Sequence, residues 1–295
     1  MTLLGADALL GPIREALRGV QADEADAHMH RRRAAISRYS HSSIHQNAVS
    51  DETHVRVRAI VGKAVGVVTT NSLAVADLRR ALADAAALAR ASRADLAWPG
   101  VAEPAPIPSS AAFHEETART DALAQARAIG AICAAVPKGM RAAGTSQIEV
   151  TEDAVATSRG VAAYAPATMA YLRALVQSES HGGSGYAEDL SMRADGLFPE
   201  RVAARAAEKC ALDRDRRQLP AGDYEAVFEE LAVAEILRIV SITGLGAQSV
   251  QEGRSFMAGR IGEQVTGDAF TLLDDALDAR TGTPNVRARL QSEKE

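Results

Sequence analysis

Between His54 and Asn71 the chain alternates with a period of two. Val55, Val57 and Ala59 interleave with His54, Arg56 and Arg58. Only a strand sends alternate side chains to opposite faces, so the run specifies a half-buried strand. Gly62-Lys63 supplies a turn, and Val65, Val67 and Val68 begin a return strand. The pattern predicts a β-hairpin. Helical periodicity follows: Asn71-Ser72 reads as a cap for a helix over residues 73–92. Leu78, Leu82, Ala85, Ala86 and Leu88 give it an apolar stripe, with Arg79, Arg80 and Asp84 facing water.

The same reading extends along the chain. Leu3, Leu4, Ala8, Ile13, Ala16, Leu17 and Val20 suit one face of an amphipathic helix. Asp7, Arg14, Glu15 and Arg18 interrupt that stretch, so it does not read as a signal peptide. Residues 26–38 suit a strand. Pro99, Pro104, Pro106 and Pro108 mark residues 95–110 as an extended connector. A helix is predicted over residues 120–136, ended by Pro137-Lys138-Gly139. Strands are predicted at residues 148–150, 154–157 and 168–177, with turns at Ser158-Arg159-Gly160 and Gly182-Gly183-Ser184-Gly185. Phe198-Pro199-Glu200 opens a helix to about residue 212. Leu219-Pro220-Ala221-Gly222-Asp223 turns into a short strand at Tyr224 to Phe228, and a helix spans residues 231–242. The order is a repeated ββα theme followed by a helix-containing C-terminal segment, which is α+β.

Composition narrows the function classes. The chain has 33 basic and 38 acidic residues, a net charge of −5, which argues against a dedicated nucleic-acid binder. Two cysteines in 295 residues are no disulfide framework, so a cytoplasmic location is expected. No window approaches the roughly 18 apolar residues that a membrane span needs.

Several motifs fail on spacing. His114-Glu115 starts like HExxH, but Ala118 stands where the second imidazole belongs. Gly183-Ser184-Gly185 lacks the further glycine of a nucleophile elbow, because position 186 is Tyr. Gly244 and Gly246 follow a helix rather than a strand, and Ser249 replaces the third glycine of a dinucleotide fingerprint. Cys133 and Cys210 sit in apolar helices as core thiols. His28, His30, His41, His45 and His54 fall close together, and His28 and His30 would share a strand face. A divalent metal could use such a set, although no carboxylate or cysteine spacing accompanies it.

One segment carries a family likeness. Arg38-Tyr-Ser-His-Ser-Ser-Ile-His-Gln-Asn47, Val55 to Val61, Gly66, Thr69-Thr70-Asn71 and the Arg79-Arg80 helix resemble the N-terminal domain of the TldD/PmbA family. Ala143-Gly144, Thr157-Ser158-Arg159-Gly160, Ser184-Gly185 and Leu219 to Tyr224 extend the likeness along nearly the whole chain. The older description "modulator of DNA gyrase" belongs to the same family.

The resemblance implies metallopeptidase-related proteins. TldD-type members carry zinc on an HExxxH helix, and PmbA-type (TldE) partners lack that motif. The pair encloses a chamber for extended peptides or unfolded proteins. Here the corresponding helix, Leu231 to Thr243, holds no His, and none occurs after His181. The chain therefore resembles the PmbA-type subunit, with no catalytic residue and no metal of its own, and with zinc expected only in a TldD-like partner. His45, Gln46 and Asn47 match the family motif as candidate substrate contacts, and a structural role is the competing reading, for instance Asn fixing a turn.

The resemblance also implies an N-terminal α+β domain of hairpins and packed helices over residues 1–215 and a shortened β-rich C-terminal domain over residues 216–295. Asp274-Asp275-Ala-Leu-Asp278 resembles a mid-to-late family motif, and a charged tail follows from Arg280. A partner is expected, either a TldD-like subunit or a second copy, together with a peptide substrate and neither nucleic acid nor membrane. The alternatives are a degenerate scaffold paralogue and an independent metal enzyme seated on the histidine cluster.

Overall fold

The computed structural model describes residues 1–107 and 111–273. The chain forms two compact units. The first covers Met1–Arg216, and the second is Arg217–Asp275, of which residues 217–273 are described. Helices and an antiparallel sheet occur in comparable amounts, which is the α+β class.

The first unit is one six-stranded antiparallel sheet in the order β3-β2-β1-β4-β5-β6. Its strands are β1 (Glu24–Ser40), β2 (Ser43–Val61), β3 (Ala64–Thr70), β4 (Met140–Thr157), β5 (Ala162–Ser178) and β6 (Ser184–Ser191). Its helices are α1 (Ala6–Leu17), α2 (Val75–Ala91), the short α3 (Glu115–Ala118), α4 (Ala122–Ala135) and α5 (Pro199–Leu212). The repeat is larger than ββα. Each half runs helix, three strands, helix, and the halves join through antiparallel pairing of β1 with β4.

All four long helices lie on one face. In the first half, Leu9 and Ile13 of α1 and Leu78 and Leu82 of α2 pack on Ala27 and Met29 of β1 and Val55 and Val57 of β2. In the second, Ile129 and Ile132 of α4 and Val202 and Ala206 of α5 pack on Tyr39, Leu172, Ala174 and Val176. Leu78, Leu82, Ile129 and Ile132 are at most 2% exposed, and burying each contributes about 1.5–3 kcal/mol. The alanines at contact positions let helix and sheet approach closely.

Several expectations are corrected. Residues 148–150 and 154–157 belong to one continuous strand, because Glu152 between them is buried in an ion pair and does not interrupt the pairing. The Ser-Ile-His-Gln-Asn run lies within the hairpin's first strand, β2, rather than ahead of it. Ser184 and Gly185 likewise begin β6, so the turn before them is tighter. The residue capping α2 is Ala74, while Ser72 Oγ accepts from Ala74 N and donates to Asp77.

The connector after α2 is pinned at several points. Asp95 N donates to Lys63 O (2.9 Å), and Trp98 Nε1 and Val101 N donate to Glu24 Oε2.

The second unit holds α6 (Glu230–Val240), a π-helical turn (Ser241–Leu245) and α7 (Ala247–Gln251). Among its described residues there is no strand. Tyr224 to Phe228, read from sequence as a strand, are exposed and pair with no other strand. The Asp274 to Asp278 run and the tail from Arg280 lie outside the described residues.

Candidate functional site

Because the helices cover one face of the sheet, strand alternation sends the other half of the side chains to a helix-free face. On β1 these are Asp26, His28, His30, Arg32 and Arg38, opposite in phase to the core residues Ala25, Ala27 and Met29. The face is a lattice of cross-strand polar pairs. Arg58 Nε donates to Asp26 Oδ2 (2.8 Å), Arg32 Nε to Glu149 Oε2 (2.8 Å) and Arg38 Nη1 to Gln46 Oε1 (2.8 Å). Tyr171 and Tyr186 both donate to Glu188 toward the β6 edge.

At the centre, His28 Nε2 lies 2.8 Å and His30 Nδ1 3.1 Å from the same oxygen, Asp153 Oδ1. The hydrogen bond to Asp153 raises the His30 pKa above its ordinary value, against partial burial. Burial alone would raise the Asp153 carboxyl. The bonds from His28 and His30 outweigh it and hold the group below the usual carboxylate range.

The five clustered histidines separate in space. His28 and His30 share Asp153, and His54 stands opposite His30 in the β1–β2 pairing. His41 sits in the turn at the far end of β1, about 36 Å along the strand from His30 at about 3.3 Å per residue. Among the described residues no group of three or more His, Cys, Asp or Glu side chains could hold a metal ion. Cys210 is buried and donates to Gly183 O, and burial raises both thiols' pKa values.

The candidates His45, Gln46 and Asn47 are all exposed and do not point to one place. Gln46 accepts from Arg38 on the helix-free face. Asn47 is in the opposite phase, and its Nδ2 donates to Ser37 Oγ at 2.7 Å. Ser37 leads on to Gln125, which is buried on α4 and donates to Ala35 O and Ser146 O. His45 is the extra residue of a β-bulge: Arg38 pairs with Gln46 and Tyr39 with Ile44. Two residues further, His41 and Ser42 close the hairpin with positive φ of 50° and 58°. That conformation normally calls for Asn-Gly, and here it is held by Ser42 N donating to Ala142 O. Ser40, His41, Arg141, Gln177, Ser178, Glu179 and Gly182 line a cleft of about 270 Å³ beside this turn.

The sequence reading missed a buried ionic cluster on the helix side. Glu152 accepts from Arg31 Nη1 (2.6 Å), Tyr164 OH (2.8 Å), Leu4 N (3.0 Å) and Gly5 N (2.9 Å). Arg31 also donates from Nε and Nη2 to the two oxygens of Asp51. Burial would raise the Glu152 pKa, but these donors together lower it. The available signal was phase: Arg31 follows Ala25, Ala27 and Met29, and Glu152 lies between Val150 and Ala154, each at an apolar position of the alternation.

Taken together, the helix-free face carries mutually paired polar groups beside a small buried apolar cluster of Val155, Ala163 and Ala165. Among the described residues, no helix is long and apolar enough to cross a membrane.

Comparison with known proteins agrees with this architecture. The model of PmbA/TldA metallopeptidase domain 1 matches residues 29–89, from β1 through most of α2. The model of the PmbA/TldA metallopeptidase C-terminal domain matches residues 221–286, a range that takes in most of the second unit. Among solved structures, TldE from Thermococcus kodakarensis is similar with a TM-score of 0.73 at 17% identity, covering 95% of this chain and 64% of that one. A protein from Thermotoga maritima described as a candidate modulator of a DNA gyrase gives 0.71 at 15% identity, covering 88% and 59%. One from Bacteroides thetaiotaomicron, described in the same way, gives 0.73 at 14%, covering 89% and 62%. The chain thus spans about three fifths of the length of these structures. No curated protein matches the sequence. In its first domain and in its C-terminal domain the chain is thus matched by models of the PmbA/TldD family, and its fold is similar to that of TldE.

Proposed function

We propose that the chain is a non-catalytic, PmbA-like subunit of a PmbA/TldD-type metallopeptidase system that cleaves peptides or unfolded proteins in the cytoplasm. The observation that carries this reading is α6. It follows the Leu219 to Asp223 turn, where the resemblance calls for HExxxH, and its eleven residues contain no His. Zinc peptidase chemistry needs two imidazoles on one helix face and a carboxylate that activates water. Of its two acidic residues, Glu230 opens the helix and Glu235 is bound by Arg238 Nη2 at 2.7 Å. Zinc and bond cleavage then fall to a TldD-like partner.

In this reading the first unit contributes a wall of the peptide chamber. Its helix-free face offers hydrogen-bonding groups to an extended chain, and His45 at the bulge and Gln46 beside Arg38 are the substrate contacts we assign. Asn47, turned toward Ser37, supports them from the other side of the strand.

Co-expression with a TldD-like subunit carrying HExxxH tests the proposal. A stable complex is expected, with zinc in the partner and peptide cleavage only when both chains are present. Cleavage of unfolded peptide by the purified chain alone would overturn it.

A further inference from the structure

Near one end of the sheet, the helix-free face carries a row of side chains that crosses five strands. Gln46 of β2, Arg38 of β1, Thr145 of β4, Arg173 of β5 and Glu188 of β6 stand opposite one another in register. Arg173 is in the opposite phase to Leu172 and Ala174, which pack under the helices, so it shares the face of Arg38.

The two arginines of this row differ from their neighbours. Arg32, Arg58 and Arg141, on the same face, are ion-paired with Glu149, Asp26 and Glu179. Arg38 and Arg173 are exposed, and among the described residues neither has a carboxylate partner. Arg38 Nη1 donates to Gln46 Oε1, and Arg173 Nη2 donates to Thr145 Oγ1 at 3.4 Å. Glu188 stands opposite Arg173, but its Oε2 accepts from both Tyr171 and Tyr186 instead. Only β4 separates β1 from β5, so the Arg38 and Arg173 Cα atoms lie about 10 Å apart. Both side chains can close over Thr145 on one carboxylate, whose planar geometry matches the guanidinium donors.

The cleft beside the β1–β2 turn begins just beyond this row. Its strand residues Ser40, Arg141, Ala143 and Gln177 continue the phase of Arg38, Thr145 and Arg173. At about 270 Å³ it is smaller than a typical ligand pocket and has room for a single side chain. Past the cleft the sheet ends, in the β1–β2 turn at His41-Ser42 and the β5–β6 turn at residues 179–183.

We propose that this row and cleft bind the C-terminal residue of an extended peptide, with Arg38 and Arg173 holding its free carboxylate and the cleft its side chain. A terminal carboxylate has chain on one side only, which fits a site where the sheet stops. The charges are complementary, since the row supplies two cations that the protein's own carboxylates leave unmatched. The inference rests on the reading of this face as a chamber wall, and it adds the chemistry the wall recognises: a peptide with a free C-terminus.

Fluorescence anisotropy of the full chain tests it. The probe is an unstructured peptide of about ten residues without Asp or Glu, labelled at its N-terminus with an uncharged dye. The free acid is expected to bind about tenfold more tightly than the C-terminal amide. Arg38→Gln and Arg173→Gln are each expected to bring the free acid down to the affinity of the amide, with amide binding little changed. Arg80→Gln, on α2, removes a charge elsewhere and is expected to keep the preference. Equal binding of acid and amide overturns the inference and leaves the chamber wall standing. A preference that survives in both Arg38→Gln and Arg173→Gln also overturns it. So does an amidated peptide with one internal Glu that binds as tightly as the free acid, which would make a side-chain carboxylate the ligand. Binding of neither peptide removes the chamber wall itself, and the inference with it.

Discussion

Gly66 on β3 and Gly185 on β6 occupy equivalent positions at the two ends of the sheet, each with a helix backbone directly above its Cα. A methyl at Gly66 would collide with Ala85 O and Ala89 N of α2, and one at Gly185 with Ala206 O and Cys210 N of α5. The strand partners are also equivalent, Ala59 opposite Gly66 and Val176 opposite Gly185. The same close approach of helix to outer strand is thus built twice, once in each half.

Gly66→Ala and Gly185→Ala are each expected to destabilise by about 1–3 kcal/mol or more, because backbone atoms cannot move aside as a side-chain tip can. Gly130→Ala, inside α4 with open space around it, is expected to stabilise by about 0.5–1 kcal/mol. Urea unfolding of the three variants checks both signs.

Removing one member of the Arg31–Glu152 pair leaves the other buried without its counter-charge. Glu152→Ala is expected to cost about 3–5 kcal/mol and to free the Leu4 and Gly5 amides, which hydrogen exchange would detect. Loss of less than 1 kcal/mol would show that the cluster is not structural.

The His30–Asp153 pair has a definite pH window. The raised His30 pKa means its contribution is complete below the ordinary histidine value and is lost as pH rises through the folded value. The lowered Asp153 pKa means its contribution is present above the ordinary carboxylate value and is lost as pH falls through the folded one. The pair therefore stabilises most between about pH 4 and 6.5. Asp153→Asn is expected to lower the His30 pKa, read by NMR titration, and an unchanged titration would refute the coupling.

Asn47→Ala breaks the link to Ser37 and is expected to cost about 1 kcal/mol, measured by chemical unfolding. If peptide cleavage by the reconstituted complex falls several-fold with Asn47→Ala while stability is unchanged, Asn47 touches substrate and its structural role is secondary.

His41→Gly relieves a non-glycine residue held at φ 50° in the hairpin turn. Stability is expected to rise by about 1 kcal/mol, visible as a higher urea midpoint with an unchanged slope.

The period-two run at Val55 to Ala59, the Gly62-Lys63 turn and the apolar stripe of α2 were legible because each depends on neighbours a few residues apart. So were α4 and α5, with Pro137-Lys138-Gly139 ending one and Pro199 opening the other. The continuity of β4 was not legible, since Glu152 looks like a break until Arg31, 121 positions away, is seen to neutralise it. The strand expected at Tyr224 to Phe228 failed for the complementary reason: local propensity makes no strand without a neighbouring edge to pair with.

By itself the sequence determined the phase of the Val55 to Ala59 run and of α2, the family likeness and the missing imidazoles of α6. Those are properties of residue type and short spacing. Tertiary structure alone decided that β1 pairs with β4, that Gln46 and Asn47 face opposite sides, that five neighbouring histidines do not form one cluster, and that β3 covers only the Val55–Val61 part of β2. Each of these depends on register between segments distant in the chain, which is set by which apolar faces close on one another and cannot be read from local order.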